Sequence, residues 1–157
     1  MRILDFFKGK REPISWFEGQ DIEMLQAIGH AQAIFHDFVS ALDVENSRIA
    51  PIIEEALVKY AFPATKKGVQ VEHIFLSNIE KRDSVLWGVV TGAPRYTNAV
   101  KEGQNIEIDP QRISDWLYVV NGKGVGGFTF KLMWSRFSDQ EKSVYGAQPP
   151  FVWINAL

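Results

Sequence analysis

The chain contains no cysteine. Disulfide staples, thiolate-ligated zinc, iron–sulfur clusters and cysteine nucleophiles are therefore excluded together. Histidine is scarce, at three residues in 157, and neither sign of charge dominates, with 17 Lys+Arg against 19 Asp+Glu. Nothing in that balance draws the chain to duplex nucleic acid or to an anionic membrane. Long apolar runs are missing too, and no stretch approaches the roughly 18 apolar residues of a membrane helix. The opening Met1-Arg2-Ile3-Leu4-Asp5-Phe6-Phe7 is interrupted by Asp5 and closed by Lys8-Gly9-Lys10-Arg11, short of the roughly 7–15 apolar residues of a secretory signal. A cytoplasmic protein is expected, without cofactor, nucleic-acid partner or membrane partner. The alternative for the opening is a short amphipathic helix that touches a membrane or a partner. Repeats and low-complexity tracts are absent.

What is present in excess is aromatic: 11 Phe, 5 Trp and 4 Tyr, or 13% of the chain. The length suits one domain over residues 1–157, with an α+β core unit at about 20–137 and a tail, 138–157, packed on the domain or on a partner. Ile22, Leu25, Ile28, Phe35, Phe38, Val39 and Leu42 recur at helical spacing, which predicts one amphipathic helix from Asp21 to Leu42, with Gly19-Gln20-Asp21 as its start and Asp21 as its cap or first-turn acid. Gly29, inside it, suggests close packing. Pro51 fits the first turn of a short helix or turn over Ile49–Glu55. From Leu57 the period changes to two. Leu57–Phe62, Val71–Ile79 and Ser84–Thr91 read as an antiparallel meander, followed by a short strand at Asn105–Ile108. Asn121-Gly122 marks a hairpin between Ile113–Val120 and a strand at Phe128–Phe137. The expected fold is α+β, a helix packed on one face of a five- to six-stranded, mainly antiparallel sheet.

No motif specifies a reaction. His30 and His36, six residues apart on a helix, stand about 120° apart around its axis and cannot share an ion. His73 stands alone on a strand, and no metal site is expected. Gly122, Gly124 and Gly127 fit a G-x-G-x-x-G spacing, yet the run is expected to precede a strand, so the helix N-terminus that holds a pyrophosphate is not expected there. These glycines read as turn and bulge positions. Glu72-His73 and Ser114-Asp115 are adjacent pairs whose members point to opposite faces of a strand, so neither makes a local dyad. His73 and Asp115 can meet only across strands. Phe128, Phe130, Leu132 and Trp134, read as one face of a strand, form a core pattern.

Three clusters taken in order resemble a known family: Glu72-His73-Ile74-Phe75-Leu76, then Ile113-Ser114-Asp115-Trp116-Leu117-Tyr118-Val119, then Asn121-Gly122-Lys123 leading to Gly126-Gly127-Phe128-Thr129. Over about residues 30–135 the chain resembles the YegJ-like bacterial proteins, domain of unknown function 2314. It departs from the family pattern where Ile74-Phe75 replaces an aromatic followed by Trp. The resemblance implies a small antiparallel α+β fold, a cytoplasmic or envelope setting in bacteria, and occasional fusion to repeat modules. It also implies that Glu72, His73, Asp115, Trp116, Gly126, Gly127 and Thr129 form a shared surface or scaffold. If Glu72 and Asp115 share a groove they mark a binding site; if they are buried against backbone amides they hold the fold.

Two functional readings follow, with a third behind them. The first is a non-enzymatic protein-binding module, in its sharpest form an immunity-type protein whose acidic clusters Asp43/Glu45 and Glu54-Glu55 meet a toxin. The second is a small hydrolase or ligand-binding enzyme that uses His73 with Asp115, in a pocket lined by Trp116 or Trp87. The third is a homodimer through the tail Val144–Leu157.

Overall fold

Asp21 caps the first helix, its side chain accepting the Met24 amide at 3.1 Å and satisfying a donor that a helix start leaves open. A computed structural model, which describes residues 21–66 and 68–155, divides the expected single helix in two. Helix α1 covers Ile22–Ala33 and α2 covers Phe35–Ser47; Ile34, at φ −112° and ψ 22°, separates them. The break has a physical cause. The α1 end is tied to strand β5 (Ile113–Val120): Trp116 Nε1 donates to the Ala31 carbonyl at 2.9 Å, and the Gln32 amide donates to the Gln111 and Ile113 carbonyls. Helix α2 must turn away from there to lay Phe35 and Phe38 on the sheet. Met24, Ala31, Phe35 and Phe38 are buried, whereas Ile22 and Leu25 of the expected stripe face solvent. Nothing lies within 4 Å of a Cβ placed on Gly29, so the close packing expected there is not found.

The remaining strands are β1 (Ile53–Pro63), β2 (Val71–Arg82), β3 (Val85–Val90), β4 (Asn105–Glu107) and β6 (Lys123–Gly126). Among the described residues they form one antiparallel sheet in the order β4-β3-β2-β1-β5-β6, which bears out the α+β expectation. The Asn121-Gly122 hairpin is present, with φ of 50° and 70°. Two expected elements are corrected. No helix forms over Ile49–Glu55, because both Glu45 carboxylate oxygens accept the Ile52 and Ile53 amides and steer the chain straight from α2 into β1. Phe128–Phe137 is no strand either: Phe128–Arg136 is helix α3. Left-handed Gly126 and Gly127 end β6. Thr129, Phe130 and Met133 are then buried at helical spacing, whereas of the alternating Phe128, Phe130, Leu132 and Trp134 that suggested a strand only Phe130 is fully buried.

Helix α4 (Asp139–Tyr145) opens with a Ser138/Glu141 capping box, and α5 (Phe151–Ile154) ends the described chain. Alternation along β1 divides the core. Val58, Tyr60 and Phe62 join Phe35, Phe38, Ile74, Leu76 and Trp116 under α2 and the end of α1, while Leu57 joins Phe75, Phe130, Met133 and Phe151 on the other face, together with Met24 from the start of α1. Helices thus cover both faces rather than one. The tail is used within the chain, since Phe151 is fully buried among Phe130, Trp134, Phe137 and Tyr145. No helix among the described residues is long and apolar enough to cross a membrane. The opening segment Met1–Arg11, the approach Gly19-Gln20 and the last two tail residues lie outside the described residues.

Candidate functional site

A central strand covered on both faces has no solvent side, so a lysine on it must be buried. Lys59 on β1 is such a residue, with 1% of its surface exposed. Its Nζ donates to Thr129 Oγ1 at 3.2 Å and lies 5.3 Å from the Phe130 ring centre. An ammonium can only donate, so the Thr129 hydroxyl turns its own hydrogen to Asp115 Oδ2. Asp115 Oδ2 also accepts the Thr129 amide at 2.8 Å, and Oδ1 accepts the Trp116 and Phe128 amides at 2.9 and 3.1 Å. The carboxylate therefore caps α3 from across the sheet. A helix does follow the Gly122–Gly127 run, contrary to expectation, but Asp115 already occupies the place where that helix start would hold an anion. Burial pushes the Asp115 carboxyl up, against the pull of Lys59 and of the Thr129 and Trp116 donors. With two donors on each oxygen it has no room for a proton, and the anion is the form that fits.

His73 lies on β2, beyond β1 from Asp115. Across two strand spacings and a two-residue offset their α-carbons stand about 12 Å apart. The imidazole meets Ser114 instead: Nδ1 is 2.9 Å from Ser114 Oγ, which also lies 3.3 Å from the Lys59 carbonyl. The pairing register moves from Lys59↔Asp115 to Tyr60↔Ile113, and the extra residue is Ser114. That bulge lets Ser114 reach the side on which Asp115 lies, against strict alternation. Burial first, then the nearby Lys59 charge, drives His73 down to about 3, so the ring is neutral at ordinary pH and a poor proton acceptor. A Ser–His contact exists, but the Asp that would orient it is committed to Lys59's hydroxyl partner and to α3.

The other expected residues serve the scaffold in different places. Glu72 accepts three successive amides, those of Arg95, Tyr96 and Thr97, each at 2.8 Å, and so anchors the loop after β3. Trp116 lies on the α1/α2 face, against Phe38, Tyr118 and Phe128. Trp87 pairs with Glu80 and Glu107 and lies 5.6 Å beneath the Arg82 guanidinium, about 20 Å along the sheet from His73. These groups stand in separate parts of the sheet. Gly126 is obligatory: its φ is +91°, and an added Cβ would lie 2.3 Å from the Trp116 carbonyl oxygen. Gly127, at φ +71°, donates to the same carbonyl and starts α3. His30 packs on Phe128 and His36 pairs with exposed Asp37. Among the described residues no group of three His, Asp or Glu gathers as metal ligands would.

Among the described residues the surface offers a feature that residue-by-residue reading missed. Ser40, Ala41, Val44, Glu45 and Arg48 of the α2 region face Ile52, Ile53, Tyr118, Val120 and Val125 across a groove of about 400 Å³. Val44, Ile52 and Val125 are 51%, 43% and 42% exposed, and the neighbouring Ile49 is fully so. The signal was Ile49 and Ile52 flanking Pro51 in a segment too short to bury them. The acids expected to face a toxin are engaged within the chain: Asp43 pairs with Lys81 at 3.0 Å, Glu45 holds Ile52 and Ile53, and Glu54 accepts the Gly122 amide.

Comparison with known proteins agrees with the resemblance and extends it. A putative ankyrin repeat protein of Neisseria meningitidis serogroup B is 28% identical over 135 residues, 85% of this chain and 53% of the relative. Escherichia coli YegJ, an uncharacterised protein, is 28% identical over 106 residues, 68% of this chain and 63% of the relative. The chain thus spans about half to two thirds of the length of these relatives. No solved structure matches it. The model of a family described as uncharacterised proteins conserved in bacteria matches residues 21–151, beyond the 30–135 first assigned and from the start of α1 through α4 to the first residue of α5. The chain belongs to that family, DUF2314.

Proposed function

We propose that the chain is a non-catalytic docking module that binds another protein through the groove between α2 and the β1/β5/β6 end of the sheet. The observation that carries this reading is the apolar groove itself, bordered by exposed Val44, Ile49, Ile52 and Val125. Apolar residues gathered in this way cost solubility unless a partner covers them. The buried polar groups support the same reading, because Glu72, Asp115, Thr129 and Ser114 each have a structural partner. The Neisseria relative is named for ankyrin repeats, and arrays of that kind present binding surfaces. A cytoplasmic setting suits a cysteine-free chain.

The test is affinity capture from the native bacterial cell with the whole chain, in parallel with Val44→Asp and Val125→Asp variants. A protein that comes down with the parent and is lost from both variants, whose thermal melts match the parent's, is the expected result. A partner held equally by all three chains, or no partner, would overturn the proposal.

A further inference from the structure

Resting on that docking reading, we infer that the groove receives an amphipathic helix of the partner, whose apolar stripe fills the space between α2 and the sheet and whose flanking carboxylate pairs with Arg48. Charge on the groove rim points to the acid. Arg48 lines the groove with 41% of its side chain exposed. Its Nε makes an ion pair with Glu45 Oε2 at 4.0 Å, at the limit of such contacts and too long for a hydrogen bond. Both Glu45 oxygens are already taken by the Ile52 and Ile53 amides at 2.7 and 3.0 Å. The negative charge is thereby committed to the backbone, and the guanidinium keeps its planar fork of donors for a carboxylate brought from outside.

The shape of the groove points to a helix rather than a strand. Ser40, Ala41, Val44 and Glu45 recur three and four residues apart and make a ridge of α2 that ends at its extended cap residue Arg48, against which the ridge of a second helix can pack. Strand β6 beside it is a poor template for an added strand. It has four residues, opens with Lys123 and ends at left-handed Gly126, the features by which sheet edges resist pairing. Exposed Ile49 and Ile52 extend the apolar contact beyond what a small ligand would cover.

The experiment is peptide display against the immobilised full chain, using a library of helical peptides with a fixed i, i+3, i+4, i+7 apolar stripe and randomised flanks. Recovered peptides should carry Asp or Glu at one flank. A synthetic winner should bind Val44→Asp at least about tenfold more weakly. Arg48→Glu should weaken it about tenfold, and a peptide with that acid changed to Lys should restore binding to the Arg48→Glu chain. Winners without an acidic flank, or indifferent to Arg48→Glu, would overturn the assigned partner chemistry. Winners that bind Val44→Asp unchanged, or no winners, would overturn the groove as a helix site. Native capture that still depends on Val44 would leave the docking reading standing while this inference falls; failure of both assays removes both.

Discussion

Asp115 shows how one side chain can serve three elements. It belongs to β5, neutralises Lys59 of β1 through Thr129, and caps α3. Burying two charges is costly, and removing one partner leaves the other stranded at about 3–5 kcal/mol. Asp115→Asn, nearly equal in shape, is therefore expected to lower the unfolding free energy by about that amount in urea titration. A loss under about 1 kcal/mol would show that the cap and the pair are incidental. Gly126→Ala is expected to be as severe, because the new Cβ meets backbone and ring of Trp116 in a left-handed conformation. Lys59 itself was hard to see in the sequence, where Leu57-Val58-Lys59-Tyr60 reads as an ordinary strand with a solvated lysine. Only the knowledge that β1 is central, with helices on both faces, makes that lysine internal. The Ser114–His73 contact was hidden for a related reason, since a one-residue bulge defeats alternation and has no signature of its own here.

Among the elements, those with local punctuation were legible and those defined by tertiary contact were not. The turn after β5 follows from Asn121-Gly122, though the strand it opens is Lys123–Gly126 and not the expected Phe128–Phe137, and the start of α1 follows from Asp21. Helix α3 has no cap of its own, since Gly127 has no side chain and Asp115 reaches its amides from 13 residues earlier, so its aromatic spacing alone could pass for a strand. The break at Ile34 is likewise set by how Trp116 and Gln32 bind α1 to β5. Gly29, by contrast, sits exposed in α1 with open space around it and no positive φ. Gly29→Ala is accordingly expected to raise stability by about 0.5–1 kcal/mol, seen as a melting temperature higher by about 1–4 °C; a lower one would mean that the glycine serves a contact. The loop after β3 depends on Glu72 in the same non-local way. In Glu72→Gln one carboxylate oxygen becomes a donor facing amides, so hydrogen exchange at Arg95, Tyr96 and Thr97 should quicken while the β1–β5 amides keep their protection. Uniform acceleration would place Glu72 in the global core instead.

At the scale of the whole molecule, the two faces of the sheet divide the work. Its α3/α5 side holds the Lys59, Asp115, Thr129 and His73 network, and the α1/α2 side carries the groove. The candidate site was only partly legible for that reason: the polar residues that attract notice in the sequence are internal, while the groove is built from aliphatic residues far apart in the chain. The division also predicts a pH response that leaves the groove untouched. His73 is held at about 3 against an ordinary value of 6.5, so the unfolded chain takes up a proton that the folded chain refuses throughout that interval. Stability should consequently fall as pH drops from about 6.5 toward 3, then stop falling on this account. At about 1.36 kcal/mol per pH unit the window amounts to at most about 4–5 kcal/mol. Asp21, which the Arg136 guanidinium holds at about 2, takes up a proton on acidification as well, so the difference between two chains isolates the imidazole. His73→Gln keeps an amide for Ser114 and has nothing to titrate. Its unfolding free energy, measured by urea between pH 7 and 4, should decline less steeply than the parent's, and parallel slopes would show that His73 is protonated in the folded chain at ordinary cost.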